Sequence, residues 1–355
     1  MLKICITFDY ELFLGKNNVS DKEVLFEPSK KISDVLLQES VKSTFFGDVC
    51  SVFQHQKYGL IDYVEQFKKQ ICEFSIAGHD IQLHLHPNWL NCKYDNGEWK
   101  MSPKGYKLHS WGLNQGEEGW ELIKQGKKFL EDTICKYNTD YRCIAFRAGG
   151  FCIQPEKDII DALINNGIFI DSSIACNQVA FDSIQDYNFT KIPHFLSWWI
   201  DKEHGIHKLA ERSDHSLLEI SIGGVKNNIP KYLGIPINEL KVKGRNGIGE
   251  GIRLQDKNNV RLKTILRNIY RHINGKGILS LDTRGHKVLK RDIDELYKTY
   301  NCKKTDQYVC IICHPKLASD AVIENMREFI REISLEPEKY KFLTIRDVAR
   351  ENHLL

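Results

Sequence analysis

Short apolar runs alternate along this chain with stretches whose apolar residues recur at helical spacing, and that alternation constrains the fold most. Leu2 to Phe8 (LKICITF), Ser43 to Val49 (STFFGDV), Asp80 to His86 (DIQLHLH), Cys143 to Ala148 (CIAFRA) and Ile168 to Ile174 (IFIDSSI) read as strands. Ile278 to Asp282, Tyr308 to Cys313 and Phe342 to Ile345 read as later ones. Between them, Pro28 to Val41, Ile61 to Ile76, Glu117 to Tyr137, Pro155 to Asn166, Val288 to Tyr300 and Ala318 to Ile333 read as helices. Parallel strands need long crossovers, so strand–helix alternation implies a parallel sheet with helices outside it. The expected fold is a distorted β/α barrel of about seven parallel strands. Two stretches break the rhythm and read as insertions, Asn88 to Gly116 and Tyr187 to Arg253. The 355 residues are therefore expected to form one decorated domain, 1–355, rather than two.

Charge and cysteine usage exclude several classes of function. Lys plus Arg number 50 and Asp plus Glu 47, a net charge of +3, and no concentrated basic stripe marks a nucleic-acid binder. The 11 Cys are an odd number, scattered from Cys5 to Cys313 and set mostly in apolar runs, unlike a secreted disulfide scaffold. The N-terminus, MLKICITFDYE, meets acid at Asp9 before any signal-peptide core could form. No apolar run approaches membrane-spanning length. The expected compartment is the cytoplasm.

Active sites of parallel barrels collect at the C-terminal strand ends, so the polar residues there are the candidates. They are Asp9 and Glu11, His84 and His86, Arg147, Asp171 with Ser172 and Ser173, and His314. Asp9 and Glu11 are two apart, as are His84 and His86, which puts each pair on one strand face. Carboxylate with imidazole is a donor set suited to zinc or another divalent transition metal. Asp9 alone could equally be a turn or cap residue.

The same residues carry a family resemblance. TFDYE (Thr7 to Glu11), GHDIQLHLHPNW (Gly78 to Trp89), RAGGF (Arg147 to Phe151), DSSI (Asp171 to Ile174), ICHP (Ile312 to Pro315) and the closing KFLTIRDVA resemble, in order, the motifs of the polysaccharide deacetylase family, also called the NodB-homology or carbohydrate esterase family 4 domain. The chain departs from that pattern in three places. Tyr10 stands where a second Asp is common, as in relatives with Asp-Val-Glu, which shifts the metal carboxylate to Glu11. Asn88 stands at the usual second His, with His86 the nearest substitute and Asn88 the alternative ligand. Gly149 replaces the Pro of the third motif.

The resemblance implies a divergent branch similar to deacetylases of bacterial surface-glycan and O-antigen biosynthesis. It implies a divalent metal, most simply Zn²⁺, held by Glu11, His84 and His86. Asp9 would be the general base, His314 the general acid and Arg147 the group that orients Asp9. The substrate would be an N-acetylated sugar, free or linked to a nucleotide or lipid, with acetate as product. Hydrolysis of another C–N or glycosidic bond, or a catalytically silent glycan binder, are the rival expectations.

Other signals carry less. Cys310-Ile-Ile-Cys313-His314 fits a haem-attachment pattern but lies in an apolar strand, so these are read as buried thiols. His79 sits at a strand start and is expected in the core. Trp89, Trp99, His109, Trp111, Trp198 and Trp199 are candidates for stacking on sugar rings or for plain packing. Lys241 to Arg245 and Lys263 to Arg271 are read as solvated basic faces, with a site for a nucleotide-sugar or lipid-linked phosphate the alternative.

Overall fold

The structure is a computed structural model and describes residues 1–182, 184–227, 229–252 and 276–355. Seven strands make its centre: β1 (Leu2–Tyr10), β2 (Thr44–Asp48), β3 (Asp80–Leu85), β4 (Ala145–Ala148), β5 (Ile170–Asp171), β6 (Ser216–Ile220) and β7 (Gln307–Cys313). They lie side by side in the order β6, β5, β4, β3, β2, β1, β7, every neighbouring pair parallel. The ring nearly closes between β6 and β7. There Ile222 bridges Cys310 in parallel, and the Cys310 N–H donates to the Ser221 carbonyl at 2.9 Å. Further along β7 the chain at Ser280 wedges into the gap and bridges Ile312. The result is a barrel-like sheet of mostly parallel strands, as expected. An antiparallel strand, Ser197–Asp201, lines the outer edge of β6, and Tyr340–Phe342 joins the first residues of β1.

Helices cover the outside: α1 (Glu27–Gln38), α2 (Val49–Lys57), α3 (Ile61–Ile76), α4 (Glu118–Ile134), α5 (Lys157–Asn165), α6 (His286–Thr299), α7 (Asp320–Ser334) and α8 (Ile345–Glu351). Successive strand residues face opposite ways, so β1 serves both layers. Tyr10 faces the helices: its ring centre lies 5.0 Å from that of Phe67, and its hydroxyl donates to Gln70 at 2.6 Å. Thr7 and Asp9 face the barrel, where the Thr7 hydroxyl donates to the Ile311 carbonyl. Tyr10 therefore belongs to the packing between sheet and helices.

Four local expectations differ from what is observed, each for a physical reason. Helix α2 was not anticipated. Asp48 ends β2 and caps α2 at once, its carboxylate accepting from the Cys50 N–H at 3.2 Å. Strand β5 stops after two residues because the Ser173 hydroxyl takes the Ala148 N–H at 2.8 Å, in place of a backbone carbonyl. The stretch read as an insertion at Tyr187 to Arg253 supplies β6, whose apolar run SLLEI hid an acid, Glu219, that points inward. At the C-terminus the strand ends at Phe342, and Thr344 with Asp347 forms a capping box that starts α8.

His79 is buried and bonded to Ser33 and Ser43, and burial, with Lys42 nearby, holds its imidazole down at about 4. Cys310 and Cys313 are free thiols buried in β7, the strand that ends at His314. Among the described residues no helix is long and apolar enough to cross a membrane.

Candidate metal and acid–base site

Four strand ends, of β1, β3, β4 and β7, deliver the sequence-predicted residues to one place. Ligand atoms of Glu11, His84 and His86 lie within 4.8 Å of one another, and so do those of Asp9, Glu11 and His314. His84 Nδ1–H donates to the Arg147 carbonyl at 2.8 Å. A carbonyl can only accept, so Nδ1 carries a proton, and in the neutral ring a metal would bind, the lone pair is on Nε2. Among the described residues that buried Nε2 has no hydrogen-bond partner; it lies 3.6 Å from Glu11 Oε2 and 4.0 Å from Asp9 Oδ2. His86 Nε2 lies 2.6 Å from the same Glu11 oxygen. An orphaned imidazole nitrogen beside a carboxylate oxygen is costly unless a cation satisfies both, and this donor set fits a divalent transition metal.

The second imidazole depends on a glycine. A Cβ at Gly149 would stand 2.5 Å from His86 Nδ1 and 2.6 Å from the Leu85 carbonyl, so no side chain fits there. Gly149→Ala is expected to displace His86 and weaken the binding of a divalent metal at this cluster about 10–100-fold, a supporting-contact effect readable by calorimetric titration. Unchanged affinity would remove His86 from the ligand set. Asn88 is directed to the insertion, its amide donating to the Ser102 carbonyl at 3.2 Å, with its Oδ1 buried and unbonded.

Two dyads flank the three candidate ligands. In the first, Arg147 is fully buried and spends its donors on Asp9 Oδ1 (2.7 Å), the Ser172 carbonyl (2.8 Å) and the Ser172 hydroxyl (2.8 Å). Its guanidinium lies 4.2 Å above the Phe46 ring. Burial pushes the Asp9 carboxyl up, but Arg147, then His84 and His314, outweigh it and hold Asp9 below its usual range. In the second dyad His314 Nδ1 donates to Asp282 Oδ2 at 2.7 Å, leaving Nε2 3.6 Å from Asp9 Oδ2. Burial disfavours the imidazolium, yet Asp282 reverses the balance and the His314 pKa is raised. Glu11 is likewise held well below its usual range against burial, chiefly by Lys316 and then His86.

Asp282 and Lys316 were not among the sequence candidates. Asp282 carried a signal, since it ends the run Ile278 to Asp282 just as the other acids end theirs. Lys316, in a 3-10 turn two residues past His314, carried none. Asp171 is buried and is the Cα partner of Glu219 in β6. Beside the site, Tyr106, Ile184, Gln185, Ile252, Leu14 and Lys316 line a cavity of about 390 Å³. Larger cavities of about 610 and 580 Å³ lie elsewhere and hold none of these residues. Trp89 is fully buried against His55 and Trp99, Trp198 is buried, and His109 is exposed. Trp99 is half-buried and lines the 610 Å³ cavity with Tyr63 and Tyr94. In the basic stretch Lys241 to Arg245, Arg245 donates to the Glu23 carbonyl. Lys263 to Arg271 lies outside the described residues.

No family model and no curated protein matches the sequence. Solved structures that overlay on it include a Mycobacterium smegmatis protein named as a polysaccharide deacetylase. That overlay covers 99% of this chain and 89% of that one, at 12% identity and a TM-score of 0.49. The Puue allantoinase overlays with the same coverage at 13% identity and a TM-score of 0.48. A Pseudomonas aeruginosa PAO1 protein, also named as a polysaccharide deacetylase, overlays at 12% identity and a TM-score of 0.46, covering 99% and 90% of the two chains. All three fall below a TM-score of 0.5. Function therefore has to be read from this chain's own residues.

Proposed function

We propose that the chain is a metal-dependent hydrolase that removes an N-acetyl group from a carbohydrate, a divergent relative of the polysaccharide deacetylases acting from a single decorated barrel. One observation carries the reading. A buried His–His–carboxylate set with an orphaned nitrogen sits between two polarised acid–base dyads, Asp9–Arg147 and His314–Asp282. A glycan-binding surface has no use for two such dyads.

Glu11, His84 and His86 would hold the metal, Zn²⁺ in the simplest case. When bound, a divalent cation supplies Lewis-acid polarisation of a carbonyl and a lowered pKa for water. Asp9 is kept ionised by Arg147, which occupies Oδ1 and leaves Oδ2 to take the proton of the attacking water. His314, whose Nδ1 is committed to Asp282, presents Nε2 to protonate the leaving amine. Its raised pKa keeps it charged nearer neutral pH, as a general acid requires. The products are acetate and a free amino sugar. The adjoining cavity, with Tyr106 and Gln185 beside apolar Leu14, Ile184 and Ile252, suits one sugar ring. The proposed substrate is an amino-sugar precursor of surface polysaccharide, nucleotide- or lipid-linked, handled in the cytoplasm.

Purified protein is expected to bind about one equivalent of zinc and to release acetate from N-acetylated sugars, with both lost in His84→Ala. Equal, negligible metal in wild type and variant would overturn the proposal. Metal binding with ammonia rather than acetate released, from a cyclic or linear amide, would move the chain to another C–N hydrolysis.

A further inference from the structure

We infer that Lys316 is a positioning residue that leaves Glu11 a single free carboxylate oxygen, and so sets how many positions of a bound divalent metal stay open. The inference rests on the metal-site reading above. Lys316 is 8% exposed, although lysine is almost never buried without a partner. Its ammonium donates to Glu11 Oε1 at 2.7 Å and to the Leu12 carbonyl at 3.1 Å, and stands 5.3 Å from the centre of the Phe13 ring. The turn that places it is local. The Leu317 N–H closes on the His314 carbonyl at 2.9 Å, so the chain doubles back and brings Lys316 to Glu11 beside His314, whose Nε2 is 3.8 Å from the same oxygen.

Glu11 Oε1 is thus committed to a cation of the protein itself. Oε2 alone faces His86 and His84, at 2.6 and 3.6 Å. A free glutamate can close on a metal with both oxygens. Here the second oxygen is withheld, which leaves room for water and a substrate carbonyl. The arrangement also has an electrostatic consequence. A fixed ammonium next to a divalent ion weakens its binding, so a site built only to retain metal would not carry one. Lys316 makes sense where an open coordination position matters more than affinity.

Cobalt(II) is the probe, because its visible absorption weakens as coordination number rises. In Lys316→Met, Glu11 can chelate with both oxygens and the opposing charge is gone. The expected result is a cobalt band several-fold weaker than that of wild type, with cobalt affinity at least about tenfold tighter. Lys316→Arg keeps a charged donor on Oε1 and is expected to restore the wild-type spectrum. Thermal unfolding of the metal-free forms establishes that each variant is folded. An unchanged band and affinity in Lys316→Met overturns the inference, as does an altered spectrum in a folded Lys316→Arg. Wild type that takes up no cobalt overturns the metal site itself, a separate failure.

Discussion

Asp9→Asn is expected to lower kcat about 10²–10⁴-fold and to destabilise the fold by about 3–5 kcal/mol. On the proposed mechanism, the rate effect follows from removing the acceptor for the water's proton. The stability effect follows from Arg147. Its side chain has no exposed surface, it cannot lose its proton, and among the described residues Asp9 is the one carboxylate bonded to it. Breaking a buried pair from one side leaves an uncompensated charge, whereas exchanging both partners for apolar groups is often neutral. The double variant Asp9→Asn/Arg147→Met is therefore expected to regain most of the lost stability and none of the activity. Denaturant unfolding with acetate-release kinetics separates the two effects. A single variant as stable as wild type would mean that the pair is not charged in the folded protein.

What the sequence disclosed, and what it hid, follows from the reach of side chains. Residues at a strand's C-terminal end lie where the barrel fold must bring them, so Asp9, Glu11, His84, His86, Arg147 and His314 could be named from position alone. Period-two spacing explains why Asp9 and Glu11 point inward together while Tyr10 turns to Phe67. Asp282 obeys the same rule, but its strand is broken: Lys276–Ile278 pairs antiparallel with Gly224–Lys226, and Ser280 alone bridges β7. The run resembled a late structural strand, and its terminal acid was passed over.

Lys316 was illegible for another reason. Its backbone is in a turn, and only its long side chain reaches Glu11, 305 residues away in sequence. Glu219 was hidden by its apolar neighbours. A strand reading SLLEI inside a stretch full of turn signals looked like part of an insertion, because an inward acid breaks the apolar pattern that marks a buried strand. Both are ionisable groups in the interior, and each is tolerated only because a partner on a distant segment satisfies it.

Glu219→Gln is expected to stabilise the protein progressively as pH rises. Glu219 and Asp171 are Cα partners across β5 and β6, and neither is exposed. Each carboxyl has one oxygen served by a donor: Glu219 Oε1 by the Ile174 N–H at 3.2 Å, Asp171 Oδ1 by the Ser173 hydroxyl at 2.6 Å. The other two oxygens, Glu219 Oε2 and Asp171 Oδ2, are buried with no other donor in reach among the described residues. One proton shared between the carboxyls satisfies both. Burial first, then the Asp171 charge and the hydrogen bond between the two, push Glu219 well above the ordinary glutamate range. The folded protein therefore holds a proton that the unfolded chain releases near pH 4.3. Between that pH and the native value the unfolded state binds fewer protons, and stability falls by about 1.4 kcal/mol per pH unit. A glutamine at 219 donates an N–H to Asp171 permanently and carries no such linkage. Unfolding at pH 5 and pH 8 is expected to show a gap in favour of Glu219→Gln that widens at the higher pH. Parallel pH profiles for the two proteins would mean that the pair shares no proton. Since neither Asp171 nor Glu219 touches Glu11, His84 or His86, any divalent-metal binding at that proposed site is expected to be the same in both.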